Sequence, residues 1–122
     1  MTKEIKWAAH VEDHDYAAAE EYLCLIFSPA MAKTLAQKLR DEHRIVSFKA
    51  KDIFRASGLS LLGVSNSHVQ KDLDKIKAGE HLSPILLMRD LQHGKVVIAD
   101  GYHRMCSAYA VSENAEIPCK II

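Results

Sequence analysis

The sequence predicts an α+β domain: a small mixed β-sheet with flanking helices and an N-terminal helical hairpin. The first half carries apolar residues at helical spacing, while the second half alternates short β-branched runs with a helix pattern. The 122 residues are 48% hydrophobic, which is enough to build one core. We expect residues 1–48 to form a helical extension packed on a core domain of residues 49–122, in one compact unit.

The N-terminal hairpin is predicted from two amphipathic stretches. The first spans residues 14–27, with acidic residues at its start and apolar residues near i, i+3, i+4 spacing. Ser28 and Pro29 then have the residue types of an N-cap and a first helical position. We expect the second helix to bury one stripe of apolar side chains: Met31, Leu35 and Leu39.

The second half predicts the sheet and its helices. Helices are expected from near Asp52 to just before Gly58, from Asn66 or Ser67 to about Lys77, and from about Tyr102 to Val111. Strands are expected at residues 45–48, 85–88, 95–99 and 118–122, with the second and third antiparallel across a turn at residues 92–94.

Charge and cysteine content restrict the function. The chain has 16 basic and 16 acidic residues, and this zero net charge argues against a nucleic-acid partner. Three cysteines without a CxxC pair predict small buried thiols in a reducing compartment. Because no apolar run approaches the roughly 20 residues of a membrane span, we predict a cytoplasmic protein with no membrane partner.

The stretch from Val96 to Ala110 carries the strongest functional signal. An apolar β-branched run ends at Asp100, and the residues after Arg104 repeat at helical spacing, so a strand turns tightly into a helix. A helix N-terminus offers free N–H groups and a positive partial charge to an anion. Gly101 allows close backbone approach, while Arg104 and His103 can donate to phosphate oxygens. The alternative is a capped helix carrying a surface arginine.

Three segments resemble the ParB/sulfiredoxin fold. They are Ser83-Pro84-Ile85, the run from Ile98 to Arg104, and Ile117-Pro118-Cys119-Lys120-Ile121. The turn Asp100-Gly101-Tyr102-His103-Arg104 is most similar to the Asp-Gly-His-His-Arg turn of free-serine kinases with this fold. The resemblance implies that the turn is a cradle for the phosphates of a nucleotide.

The preceding helix adds to this resemblance. Residues 68–76, His-Val-Gln-Lys-Asp-Leu-Asp-Lys-Ile, are similar to a sulfiredoxin helix whose polar side chains face the nucleotide. The resemblance therefore implies that His68, Lys71 and Lys75 form a second wall of the site. They lie on one helical face, and the alternative is a solvated lysine face.

The departures from these families are informative. Tyr102 stands where sulfiredoxins carry their catalytic cysteine, and without a thiolate there is no route to sulfinic-acid reduction. Cys106 lies one helical turn later and would point elsewhere, so it does not inherit that role. The zero net charge also argues against a partition-type DNA clamp.

The first functional hypothesis is a nucleotide- or phosphate-binding protein. If it is an enzyme, it transfers a phosphoryl group from ATP, ADP or CTP to a small molecule, with Mg²⁺ neutralising charge. Gly101, Tyr102, His103 and Arg104 would hold phosphates, and Asp100 is the candidate metal ligand or general base.

Two alternatives belong to other classes. One is a non-catalytic regulatory or interaction module with a vestigial anion site, whose N-terminal hairpin forms a homodimer or partner surface. The other, which the sequence favours least, is a ParB-like nuclease.

The stretch from His10 to Asp15 could share a metal between His10 and His14, but it is more typical of an acidic, solvated helix start. No metal site is assigned from the sequence.

Overall fold

The computed structural model describes residues 4–122 and has an α+β architecture. Its helices are α1 (Asp13–Leu23), α2 (Pro29–Asp41), α3 (Ala50–Ser57), α4 (Ser67–Lys77) and α5 (Tyr102–Val111). Its strands are β1 (Lys6–Trp7), β2 (Val46–Lys49), β3 (His81–Leu82), β4 (Ile85–Asp90), β5 (Lys95–Asp100) and β6 (Glu116–Ile121). The predicted fold class is therefore confirmed.

The main sheet has four strands in the order β2-β6-β4-β5. The strand β4 is antiparallel to β5 and parallel to β6, and β6 is antiparallel to β2, so the sheet is mixed as predicted. A second, parallel pair joins β1 to β3 and was not predicted. Each of these strands has only two residues, which is too short for a period-2 pattern to show in the sequence.

Helices cover both faces of the main sheet. The hairpin of α1 and α2 packs on one face, where Leu23 and Leu39 meet Leu86, Met88 and Ala99. On the other face lies a second apolar cluster that includes Ile53, Val69, Ile85, Leu87, Ile98 and Met105. Burial on both faces explains why residues 85–88 read as an unbroken apolar run. The division into an extension and a core domain stays a prediction.

Short-range sequence signals fix several element ends. The Ser28 hydroxyl accepts a hydrogen bond from the Met31 N–H, and the Asn66 side chain accepts from the N–H groups of His68 and Val69. Helix α3 ends at Gly58, whose φ of 67° is left-handed. Both predicted N-caps and the predicted end of α3 are confirmed.

The buried stripe of α2 differs from its prediction. Met31 is 47% exposed, so placing it in the core was wrong, and the buried residues are Ala32, Ala36 and Leu39. A prediction from hydrophobicity alone places the larger side chain, Met31, in the core. Small alanines instead face the neighbouring elements, where they allow close packing of α2 against α1 and the sheet. The stripe is therefore rotated by about one residue.

Membrane insertion can be judged from helix length and hydropathy. Within residues 4–122, no helix combines the length and the apolar character needed to cross a bilayer.

Candidate functional site

At the candidate site, a single glycine separates the end of strand β5 from the start of helix α5. Strand β5 ends at Asp100 and α5 begins at Tyr102, so Gly101 makes the turn with a φ of 112°. A Cβ at this position would lie 2.4 Å from Cγ2 of Ile85 and 2.6 Å from its Cβ. Glycine is required both by the backbone conformation and by the approach to β4. No side chain among the described residues caps the first turn of α5.

A cavity of about 570 Å³ opens at this turn. All the site residues predicted from the sequence line this cavity: Asp100, Gly101, Tyr102, His103, Arg104, His68, Lys71 and Lys75. Further polar residues outside the predicted phosphate site also line the cavity: Glu12, His14, Asp15, Asp72, His81 and Ser83. The volume is in the usual range for small-molecule sites, which are about 300–1,000 Å³.

The Arg104 side chain forms two ion pairs that were not predicted from the sequence. Its Nη1 lies 3.1 Å from Oδ2 of Asp15, and its Nη2 lies 2.9 Å from Oδ2 of Asp100. The side chain is only 15% exposed, and its buried Nε has no hydrogen-bond partner among the described residues. Each terminal nitrogen already donates to a carboxylate, so a phosphate would compete with Asp15 and Asp100 for this side chain, and the role of Arg104 as a phosphate ligand stays a prediction.

Asp15 is a buried cavity residue whose contact with Arg104 the sequence did not predict. It is buried on α1, where its Oδ2 accepts a hydrogen bond of 2.7 Å from the Ser83 hydroxyl in addition to the Arg104 contact. The same hydroxyl accepts from the Glu12 N–H at 3.0 Å. These bonds join the start of α1 to Ser83, in the short connection between β3 and β4, and to the α5 turn. A carboxylate next to the core position Tyr16 was the available signal, because buried aspartates need a partner.

Asp100 has the properties of a proton-transfer group. Burial raises the pKa of Asp100 to about 6, the nearby Arg104 opposes this rise, and the neighbouring Asp15 carboxylate adds to it. A carboxyl group with a pKa near neutrality can exchange a proton at physiological pH, which suits a general base or acid. Its position on the cavity wall is compatible with the predicted catalytic role.

Helix α4 supplies a basic wall. Lys71 and Lys75 line the cavity with His68, and neither lysine forms an ion pair of 4.0 Å or less with another residue in the range 4–122. The His68 and His103 rings lie 4.8 Å apart between centroids. Burial, followed by the neighbouring His68, lowers the pKa of His103, while Asp72 opposes this. The positive charge that remains available in the cavity is therefore on α4 rather than on Arg104.

The start of α1 forms a compact set of metal-binding side chains. The His14 Nε2 lies 3.1 Å from Oε2 of Glu12 and 3.2 Å from Oδ1 of Asp15, and the three ligand atoms lie within 4.8 Å of one another. These three residues could hold a divalent cation. His10 precedes α1, so it does not share a helical turn with His14, and the pairing considered from the sequence does not form.

Thiol chemistry has no support at this site. The hydroxyl of Tyr102 donates to the carbonyl oxygen of Ser60 in the loop before α4. Cys106 is buried, and burial raises the pKa of its thiol. A thiol with a raised pKa forms little thiolate at neutral pH.

Comparisons with protein-family models, with curated proteins and with solved structures found no match to this chain. The resemblance to the ParB/sulfiredoxin fold stays a prediction from the residues that carry it.

Proposed function

We propose that the cavity at the α5 turn binds the phosphate groups of a nucleotide or of another phosphorylated small molecule. One observation carries this proposal: the N-terminus of a ten-residue helix, which no side chain of residues 4–122 caps, opens into the same cavity as Lys71 and Lys75, and neither lysine forms an ion pair of 4.0 Å or less within that range. The helix start offers oriented N–H groups and partial positive charge, and Lys71 and Lys75 offer full charges. An oxyanion is the ligand that satisfies both.

In the proposed binding, the residues that line the cavity have different roles. Lys71, Lys75 and His68 face the phosphate oxygens, while Arg104 positions the turn through Asp15 and Asp100. The opposite wall carries Glu12 and Asp15, whose carboxylates suit Mg²⁺. Mg²⁺ held by these carboxylates would neutralise part of the negative charge of the phosphates.

Phosphoryl transfer is the reaction that this arrangement supports best. Asp100, with its pKa near 6, would take the proton of an acceptor hydroxyl while ATP, ADP or CTP supplies the phosphoryl group. The likeness of residues 100–104 to the free-serine kinase turn supports this reaction and the ParB/sulfiredoxin-like fold. The three free cysteines support a location in the reducing cytoplasm.

Calorimetric titration with ATP, ADP, CTP and inorganic phosphate, each with and without Mg²⁺, tests the proposal. We expect Lys71→Gln combined with Lys75→Gln to weaken the binding of the preferred ligand about tenfold or more, because two charge-assisted contacts are lost. The matched control is Lys33→Gln with Lys38→Gln on α2, which removes the same charge far from the cavity. Absence of binding by the wild type, or equal losses in both pairs, would reject the proposal.

A second candidate function rests on a different surface. Four large apolar side chains are exposed around the turn between α1 and α2: Tyr22, Leu25, Ile26 and Met31. Several large apolar side chains exposed in one region of the chain are typical of an interaction surface. It favours the alternative of an interaction module, with a homodimer as the simplest form. Light scattering on the wild type and on Leu25→Glu tests it, and an unchanged monomer in both rejects the dimer.

A further inference from the structure

A second cavity lies on the α3 side of the sheet and shares no lining residue with the first. Its volume is about 390 Å³, and it lies between α3 and the β4–β5 hairpin. Buried Ile53 and Leu87 form its floor with the half-buried Phe48, Val96 and Ile121. An apolar floor of this size favours a ligand with an apolar body.

The rim of this cavity is charged, and its acids and bases differ in their partners. Asp90 accepts a contact of 2.8 Å from Nδ1 of His93, and Asp52 lies 3.9 Å from Nη2 of Arg55. In contrast, the side chains of Arg89 and Lys95 form no hydrogen bond or ion pair with another residue of the described chain. The rim therefore presents cationic donors that are available to an anion.

The strand register places Arg89 on the sheet face that lines the cavity. Arg89 pairs with Val96 across β4 and β5, and Leu87 pairs with Ile98, so Arg89 continues the row of side chains that faces the cavity. A guanidinium group is a planar fork that binds a carboxylate through two hydrogen bonds. Lys95, next to Val96 in β5, adds a second cation at the same rim.

We propose that this second cavity binds a small monocarboxylate with an aliphatic or aromatic body. The carboxylate pairs with Arg89, and the body covers Ile53, Leu87 and Phe48. A neutral alcohol of the same size would leave the guanidinium without a partner. An amine would meet two cations, and inorganic phosphate would leave the apolar floor in water.

Titration of the isotope-labelled full chain with octanoate, followed by amide NMR shifts, tests the site. We expect the largest shifts at Phe48, Ile53 and Val96, with little change at Gly101 and Lys71. Octanol should bind at least about fivefold more weakly than octanoate, because it lacks the charge that pairs with Arg89. Octylamine should bind more weakly still. Added salt should weaken the binding of octanoate more than that of octanol.

Two variants at exposed positions separate the apolar floor from the rim. Ala56→Phe places a large side chain in the cavity from the exposed face of α3 and should abolish the shifts. Arg89→Gln should weaken octanoate binding about two- to fivefold and leave octanol binding unchanged. The control Lys33→Gln on α2 removes an exposed cation elsewhere and should change neither.

Several outcomes would overturn the proposal. Equal affinity for octanoate and octanol would remove the role of the cations. Octanoate shifts centred on the α5 turn would place the acid in the phosphate cavity instead. Unchanged octanoate binding in Arg89→Gln would also contradict the site, and this result stands even if Ala56→Phe perturbs the fold.

Discussion

The two cavities differ in how the protein uses its arginines. Arg104 is 15% exposed and fixed between Asp15 and Asp100, whereas Arg89 is exposed and has no side-chain partner among the described residues. A buried arginine with two carboxylates contributes to holding the fold together, and its charge is already balanced. An exposed, unpaired arginine contributes little to stability and is available to a ligand. The difference shows that a cation in a cavity is not necessarily a ligand of that cavity.

The largest test of this contrast is Arg104→Ala. The change leaves the buried Asp15 carboxylate and the half-buried Asp100 without their cation, so we expect a loss of about 3–5 kcal/mol in the free energy of unfolding. Urea denaturation measures it. Arg104→Lys keeps the charge but not the fork that reaches both carboxylates, so its loss should be intermediate. A loss below about 1 kcal/mol for Arg104→Ala would show that the buried network contributes little.

The next largest effect is expected for Gly101→Ala. The added Cβ would meet Ile85 at 2.4 Å, and alanine is strained at a φ of 112°, so we expect a loss of about 2–4 kcal/mol. The matched control is Gly63→Ala, where nothing lies within 4 Å of the new Cβ. Thermal and urea denaturation of both variants should separate them. Equal stabilities would mean that the turn relaxes without cost.

Local structure was predictable because its causes are local. The Asn66 side chain caps α4 two and three residues later, and Gly101 lies between a strand and a helix that show their own periodicities. The range of α5, Tyr102–Val111, was therefore available from the sequence. The spacing of His68, Lys71 and Lys75 predicted a common helical face, whereas only the family resemblance implied that this face lines the site; all three residues line the cavity.

Long-range pairing was not predictable in this way. Asp15 and Arg104 are 89 residues apart, and no local spacing connects them. The buried Lys120 is a similar case, since its Nζ donates to the carbonyl oxygens of Leu39 and Arg40 at the end of α2. Both contacts depend on how the hairpin docks on the sheet. Tertiary packing therefore decided which cations are engaged, while the sequence identified only which cations exist.

Asp100 gives a pH-dependent test of the buried network. An unfolded aspartate has a pKa of about 3.9, and the folded pKa of Asp100 is about 6. The folded state binds this proton more tightly than the unfolded state. The contribution of Asp100 to the free energy of unfolding is therefore fully present below about pH 4 and is lost as the pH rises through about 6. A difference of about 2 pKa units corresponds to on the order of 3 kcal/mol for this part of the pH dependence.

Asp100→Asn should flatten the stability profile between about pH 4 and 6, measured as urea denaturation at several pH values. Asp52→Asn, an exposed acid on α3, should leave the profile as in the wild type. Carboxyl NMR titration gives the Asp100 pKa directly. A midpoint near 4 would contradict the raised pKa, and it would also remove the argument for Asp100 as a general base at neutral pH.

The smallest effect is expected where the contrast began, at Arg89. Because its side chain is exposed and unpaired, Arg89→Gln should change the free energy of unfolding by no more than about 0.5 kcal/mol. The variant combined with Arg104→Ala should show additive losses, since the two arginines line separate cavities and share no partner. Urea denaturation of the single and double variants measures the loss from Arg89→Gln alone and the additivity of the two losses. A large loss for Arg89→Gln alone would show that this arginine, like Arg104, serves the fold, and it would then be a poor candidate for binding an anion.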